Sequence, residues 1–544
     1  FVTNQLVLIG TGNFDLNALN QIGTAFVPGL VAIDVVGDVS LTNEFSIMFD
    51  MIVCGDDTFA GATVIPNGAA ADGDLTLTVV NGDVTQANDS IFEVIGLMTF
   101  DVGAGSINLL GFATETNDFS VLVVESAGIA EIADRNSITF NTVTVTNDAF
   151  FRSGDAELGA ISLNDNISVG DQFMLSSFSG VVQLSGNVAA GTLLLEGVDD
   201  FDLAAANEIG NISTNILGSL FLTNSIDLNI VKDSYTTIDG DTTSFLGVNI
   251  DKGLFDGNLE ITTSNDNVSQ DPDAQIRVAE TALFALGSGE IDLTFGDSNL
   301  DTLNDNDLNV LAVASASSAE VVDFNSISLD NASISGKLFV ESEGGSISIQ
   351  GQVSADDQIM LQALAGAGTS IGALLDTDEL LIQGSGEFDL TGDNRIGSFA
   401  TPGSFAADVD GNVLLSNQFG VYFDDLTFTQ TDGTINNVVG VNVDAGSQKG
   451  NLFVTAEGDI TDNDAVDITV EGHAAFVASI VNDVELGQTN TLTSMSIGLG
   501  GRNADVVKSD AVILDGVSMT GALDITSIGG IKQSGLDVSG LVGA

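Results

Sequence analysis

Phe14-Asp15-Leu16, three intervening residues and then Asn20-Gln21-Ile22-Gly23 form the stretch on which the reading of this chain turns. It returns as Phe201-Asp202-Leu203 with Asn207-Glu208-Ile209-Gly210, and again as Phe388-Asp389-Leu390 with Asn394-Arg395-Ile396-Gly397. The interval is 187 residues both times (201 − 14 and 388 − 201). Self-similarity at a fixed period marks a repeat architecture. Whatever this protein does must be compatible with being built end to end about three times.

Other segments keep the period to within a few residues. A glycine-led strand reads Gly73-Asp74-Leu75-Thr76-Leu77-Thr78, then Gly257-Asn258-Leu259-Glu260-Ile261-Thr262, then Gly450-Asn451-Leu452-Phe453-Val454-Thr455. Pro28-Gly29 returns as Pro402-Gly403, and the middle copy lacks it. Insertions and deletions fall in turns, as expected when strands hold the core. The period divides the chain into 1–13 (the end of a preceding unit), 14–200, 201–387 and an incomplete 388–544, read as one continuous solenoid.

Within each unit, apolar and polar residues alternate over four to six positions, as in Leu75, Leu77 and Val79 against Thr76 and Thr78. That is the period of a half-buried strand. Gly, Asn, Asp and Ser supply the breaks. Such strands could form separate sandwiches or stacked coils. Three features favour coils. No linker separates the copies. Glycine-led strands also recur inside each unit, as at Gly336-Lys337-Leu338 and Gly521-Ala522-Leu523. The Asn of Asn-x-Ile-Gly suits a corner, where an inward amide bonds backbone groups of neighbouring coils. Repeats of this kind take roughly 20 residues per coil.

The net charge is −66, from 11 Lys and Arg against 77 Asp and Glu. With 44% hydrophobic residues and a mean hydropathy of +0.32, the chain is nonetheless no acidic disordered tail. It lacks the basic footprint of a nucleic-acid binder and is repelled by anionic membranes. No apolar run reaches the roughly 18 residues of a membrane helix, so direct membrane insertion is not expected. Cys54 is the one cysteine, and Phe428 stands at its place in the third copy, which reads as a buried apolar filler. The chain opens on Phe1 without a visible signal peptide, so the expectation is a mature or excised portion of a secreted protein.

Gly450-Asn-Leu-Phe-Val-Thr-Ala-Glu-Gly-Asp-Ile-Thr-Asp462 with Val470-Glu-Gly-His-Ala-Ala-Phe476, and Phe388 to Gly397 with Gly411-Asn-Val-Leu-Leu-Ser-Asn417, resemble the repeats of filamentous-haemagglutinin-like bacterial exoproteins. The resemblance implies a right-handed parallel β-helix, a secreted or cell-surface location, and a role in adhesion or matrix.

Chemistry-bearing residues are sparse apart from carboxylates. The single His473 aligns with Thr281 and Leu97, which makes it a strand-surface or core-edge residue. One His and one Cys give no zinc cluster and little basis for a nucleophilic pair. Lys and Arg are scattered singly, and no distinctive cluster stands out among near-equivalent units. No catalytic residue is assigned and no enzyme is expected. Calcium is the cofactor to consider, because hard cations take six to eight oxygens and Asp/Asn-rich turns supply them. The candidate ligands are Asp301, Asp305 and Asp307, then Asp408 and Asp410, then Asp462 and Asp464.

The period runs through both ends without a polar cap. Val2, Leu6 and Leu8 at one end, and Leu536, Val538 and Leu541 at the other, are the expected self-assembly residues. Uncapped coils extend by strand addition. The expected function is therefore a structural, filament-forming extracellular solenoid or stalk, polymerising head to tail. The alternative is an adhesin whose acidic, calcium-bridged face binds a cell-surface glycan or a protein. A β-helical polysaccharide lyase or hydrolase ranks below both.

Overall fold

The computed structural model describes residues 1–54, 57–65, 73–88, 90–110, 117–154, 159–253, 256–294, 306–365, 373–446, 449–463, 465–498, 502–508 and 511–534; none of them lies in a helix. The chain divides into two compact units, Phe1–Ser264 with Asp273–Ala279, and Asn265–Pro272 with Glu280–Ala544.

Each unit is a parallel β-helix. In the first, three strand segments of one coil lie in parallel register on three of the next: Ala62 on Phe92, Leu75 on Met98 and Val84 on Ile107. Following one face upward, Glu131 pairs with Phe150, Phe150 with Met174 and Met174 with Leu194. In the second unit Glu320 pairs with Phe339, Phe339 with Met360, Met360 with Leu381 and Leu381 with Ala406. These steps run from 19 residues (150 − 131) to 25 (406 − 381), close to the expected coil. Among the described pairings three coils are much longer, at 36, 39 and 39 residues: Val39 pairs with Leu75, Leu220 with Leu259 and Val413 with Leu452. Each long coil contains an antiparallel hairpin, Met51–Cys54 with Asp57–Ala60, Asp233–Thr236 with Thr242–Phe245, and Leu426–Thr429 with Ile435–Val438.

The alternating pattern does what period two requires. Leu75, Leu77 and Val79 are buried, and Thr76 and Thr78 lie half-exposed between them. Inside, phenylalanines stack along the coils: Phe140 and Phe151 lie face to face at 4.1 Å, and Phe151 meets Phe173 edge-on at 5.5 Å. Such pairs add about 0.5–1.5 kcal/mol beyond the area they bury.

The repeated motif explains itself residue by residue at the corners. The Asn207 amide donates to Leu203 O (2.9 Å) in its own coil and to Thr223 O (3.1 Å) in the next. Its Oδ1 accepts Val188 N–H (2.8 Å) from the coil before. Asn394 repeats this with Leu390 O (2.7 Å), Ser416 O (3.0 Å) and Leu375 N–H (3.1 Å). The motif Ile is held in turn by an Asn one coil on. Asn224 takes Ile209 N–H (2.9 Å) and gives to Ile209 O (2.9 Å), and Asn417 does the same to Ile396 at 2.7 and 2.9 Å. Gly23 and Gly397 sit at φ 85° and 80°, where a Cβ would stand 2.3 Å from Gly29 N and Gly403 N, so the last motif position takes glycine in the first and third copies. Inward amides bridging coils are what the motif predicted.

The corner recurs more often than the motif. Among the described residues, Asn20 pairs with Asn43, Asn207 with Asn224, Asn394 with Asn417 and Asn490 with Lys508. Asn117 donates to Leu109 O (2.9 Å) and Ala133 O (3.1 Å), beside Asp134. Asn306 donates to Leu293 O (3.3 Å) and Val322 O (3.2 Å), beside Asp323. The corners at 20, 117, 207, 306, 394 and 490 thus fall roughly twice per 187-residue unit. Asparagine, aspartate and lysine share one structural slot because the local turn differs. Where a carbonyl faces the slot, as Gly420 O faces Asn417 (3.1 Å), a donor is needed. Where an N–H faces it, as Asn136 N–H faces Asp134 (2.6 Å), an acceptor serves. Lys508 meets Ala511 O (2.6 Å) and Leu492 O with its ammonium.

Candidate functional site: hairpin straps over one solenoid face

Outward-facing residues on a solenoid should be wet, yet one column in each unit is dry. In the first unit Glu131, Phe150, Met174 and Leu194 are 1%, 7%, 1% and 0% exposed. In the second, Glu320, Phe339, Met360 and Leu381 are 4%, 0%, 0% and 0% exposed. Both columns read Glu, Phe, Met, Leu. Each is sealed by the hairpin that loops out of a later coil and folds back along the outside. Tyr235 and Phe245 pack on the first column, and Leu426, Phe428 and Val438 on the second. A solenoid strand buried on both faces loses the alternating pattern, as Ile129–Asp134 shows, buried at every position but its first.

The straps share one design. Thr237 N–H donates to Asp241 O (2.8 Å) and Gly240 N–H to Thr237 O (2.9 Å); Gln430, Thr434 and Gly433 repeat both bonds at 2.8 and 3.0 Å. Gly240 and Gly433 have φ of 94° and 89°, the left-handed region that these tight tips need. Each tip is fastened by the column's glutamate. Glu131 accepts Ile238 N–H through both oxygens (2.8 and 3.0 Å) and the Tyr235 hydroxyl (3.3 Å). Glu320 accepts Thr431 N–H (2.8 Å) and its hydroxyl (2.9 Å). In the second unit Lys337 also lies over the Phe428 ring, 5.4 Å from its centre.

Under the first strap is a cavity of about 450 Å³ lined by Phe150, Met174, Tyr235, Arg152 and Glu196 among others. Burial lowers the Arg152 pKa, with Glu196 opposing, and raises that of Glu196, with Arg152 opposing. The second unit has Glu341 at the position of Arg152, since both follow the column phenylalanine by two residues.

Several buried carboxyls titrate high. Desolvation pushes Glu131 and Asp134 up to about 7, against their hydrogen bonds. It does the same to Asp323 and Glu341, and raises Glu320. A carboxyl whose folded pKa exceeds its unfolded value of about 4 holds a proton that the unfolded chain has released. Stability from these groups is therefore full below pH 4 and is lost as pH rises from about 4 to about 7. Thermal melts should show a higher Tm at pH 5 than at pH 8. An equal or higher Tm at pH 8 would contradict these assignments.

The sequence-derived candidates are distributed rather than gathered. Asp301, Asp305 and Asp464 lie outside the described residues, as do Leu536, Val538 and Leu541. Asp408 and Asp410 were expected in a turn. They stand instead within the strand Gly403–Asn417, exposed, in register with Asn442 and Asp444 of the next coil. Asn442 donates to Asp408 (3.1 Å) and to Asp444 (3.3 Å). The run Asp-Val-Asp-Gly looked like a turn because it is rich in turn formers; Val409 pointing into the core makes it strand. Asp307 opens the strand Asp307–Ala316, and Asp462 accepts Gly487 N–H (2.9 Å). Among the described residues no group of three acidic, His or Cys side chains converges as a metal site would. Val2 is 82% exposed, Leu8 is buried and Leu6 lies between. Cys54 lies on the hairpin strand Met51–Cys54, with its side chain outside the described residues. His473 is half-buried on the strand surface between Ser494 Oγ (2.9 Å) and Ser496 Oγ (3.0 Å).

The straps were missed at the level of sequence. Their signal was present in Asp239-Gly240 and Asp432-Gly433, each flanked by alternating residues, which is the strongest short-range hairpin cue.

Fold and straps together define a β-solenoid repeat protein. A family model described as repeats of unknown function (DUF5649) matches residues 56–125 and 501–543. No curated protein and no solved structure matches the chain.

Proposed function

We propose that this protein is a structural extracellular solenoid, a stalk or filament-forming subunit of a bacterial surface or matrix. The observation that supports this reading is how the side of each unit is finished. Coil strands pair with neighbouring coils, the apolar outward columns at Phe150 and Phe339 are strapped shut, and the chain carries a large acidic excess. Such a surface resists lateral association. Growth is then confined to strand edges. Strand addition there would join copies end to end.

Negative-stain imaging of concentrated protein tests the assembly: unbranched fibres of uniform width are expected, and isolated particles at every concentration would overturn it. Calcium belongs to the same proposal as a screening ion for the carboxylates. Millimolar calcium should raise Tm, and a chelator should reverse the gain; a Tm indifferent to both would remove calcium from the picture. The solvent-facing Phe26 and Phe399, 96% and 94% exposed, favour a second reading as a surface adhesin.

A further inference from the structure

We propose that the corner around Phe399 binds a small quaternary ammonium cation. The loop Ser398–Thr401 is closed by the bridge between Gly397 and Pro402 and by Ser398 N–H to Thr401 O (2.8 Å). Ser398 Oγ accepts Ala400 N–H (3.3 Å) and Thr401 N–H (3.1 Å), which pins the loop and leaves Phe399 in solvent. The Phe399 ring meets Phe419 edge-on at 4.8 Å and 69°, so two aromatic walls stand at an angle. They border a cavity of about 360 Å³ whose other walls include Gln418, Glu457, Asp459 and Asn482. Its glycine bed is closely stacked backbone: a Cβ on Gly458 would lie 2.4 Å from Gly420 N.

The first unit has a loop of the same kind. Thr24 pairs with Val27, and Thr24 Oγ1 accepts Phe26 N–H (3.3 Å) and Val27 N–H (3.1 Å). One loop position differs, since Phe26 corresponds to Ala400 and Ala25 to Phe399 (a shift of 374). Phe45 stands for Phe419 by the same shift. Asp83 and Asp459 each precede the strand that pairs with the next aromatic-bearing segment, Val84 on Ile47 and Ile460 on Val421. The second carboxylate moves. It is Glu457 in one corner and Glu44, at the place of Gln418, in the other.

In sequence, both corners thus carry two aromatics and two carboxylates, with one aromatic and one carboxylate at shifted positions. A ligand read by directional hydrogen bonds, such as a sugar, would not tolerate that change. A diffuse positive charge would, because Coulomb attraction and the face of a ring both act without fixed direction. The net charge of −66 further concentrates cations at the surface and excludes anions.

The test is saturation-transfer NMR with choline on the whole chain. Transfer from aromatic protons to the N-methyl groups is expected. Phe399→Ala and Phe26→Ala should each weaken one site roughly two- to fivefold, the range of a solvent-exposed cation–π contact, and the double variant should transfer less than either. Glu457→Gln should weaken the second-unit site and flatten its salt dependence. These side chains lie outside the core, so the variants should melt with the parent. Co-sedimentation with phosphatidylcholine vesicles, reduced in the double Phe variant, would make a lipid headgroup the source; choline binding without sedimentation would make it the free ion. Undiminished choline binding by the double variant, or equal competition by glucose, would overturn the proposal.

Discussion

Asn417→Asp should lower the stability of the second unit by roughly 3–5 kcal/mol at pH 8, the cost of an uncompensated buried charge. The change adds no volume. Asn417 is 2% exposed, with Oδ1 on Ile396 N–H (2.7 Å) and Nδ2 on Ile396 O (2.9 Å) and Gly420 O (3.1 Å). A carboxylate keeps the first bond and turns a negative oxygen toward two carbonyls. Burial and those carbonyls both favour the protonated form, so the folded pKa rises above the unfolded one. The destabilisation is then present above the folded pKa and fades as pH falls, because a protonated oxygen can donate to one carbonyl. Thermal melts of variant and parent at pH 8 and pH 4.5 check this. A Tm difference that is the same at both would refute it. Asn417→Ala should instead cost about 2–4 kcal/mol with little pH dependence, since it orphans buried groups without adding charge.

The second large effect concerns the strap. Replacing Leu426–Val438 by a tight turn should leave the solenoid coils folded but convert the protein into an aggregating one. Phe339, Met360 and Leu381, all fully buried beneath it, would form an outward apolar stripe. A side chain of this size loses about 1.5–3 kcal/mol of burial free energy on exposure, which the strap normally supplies. The chain itself contains the remedy. The corresponding column of the third copy runs Glu485, Asp505, Asp524 in register, exposed, with an acid where the others have phenylalanine. Putting Glu at 339, 360 and 381 in the strapless variant should restore solubility. Light scattering and circular dichroism read the two properties separately. A soluble strapless protein without the Glu changes would show that the column is not an apolar liability. Glu320→Gln should have a milder result: the strap stays docked, and the second unit loses part of its pH dependence.

Much of the fold was legible because its determinants are local. Alternation at Leu75, Leu77 and Val79 is enough to specify an inward face. The motif Asn was readable as a corner because a buried amide must find backbone partners, and stacked coils offer them at each level. The turn assigned to Asp408-Val409-Asp410-Gly411 failed because composition favoured a turn while the register of the coil placed Val409 inward. The corner slots at Asn117 and Asn306 escaped because their flanking residues, Asn117-Asp118-Phe119 and Asn306-Asp307-Leu308, lack the Asn-x-Ile-Gly spelling. The shared feature is the hydrogen-bond pattern rather than the residues around it.

The amino-acid sequence alone determined that this protein is a repeated, acidic, all-β chain whose strands stack as parallel coils with asparagines at the corners. Periodicity, charge and the needs of a buried amide are properties of neighbouring residues. The tertiary structure decided which outward face is dry. Glu131 meets Ile238, and Glu320 meets Thr431, across 107 and 111 residues of chain. Whether an outward phenylalanine is a liability, a ligand platform or part of a second core depends on what folds back over it, and residues so distant in sequence meet only once the coils have stacked.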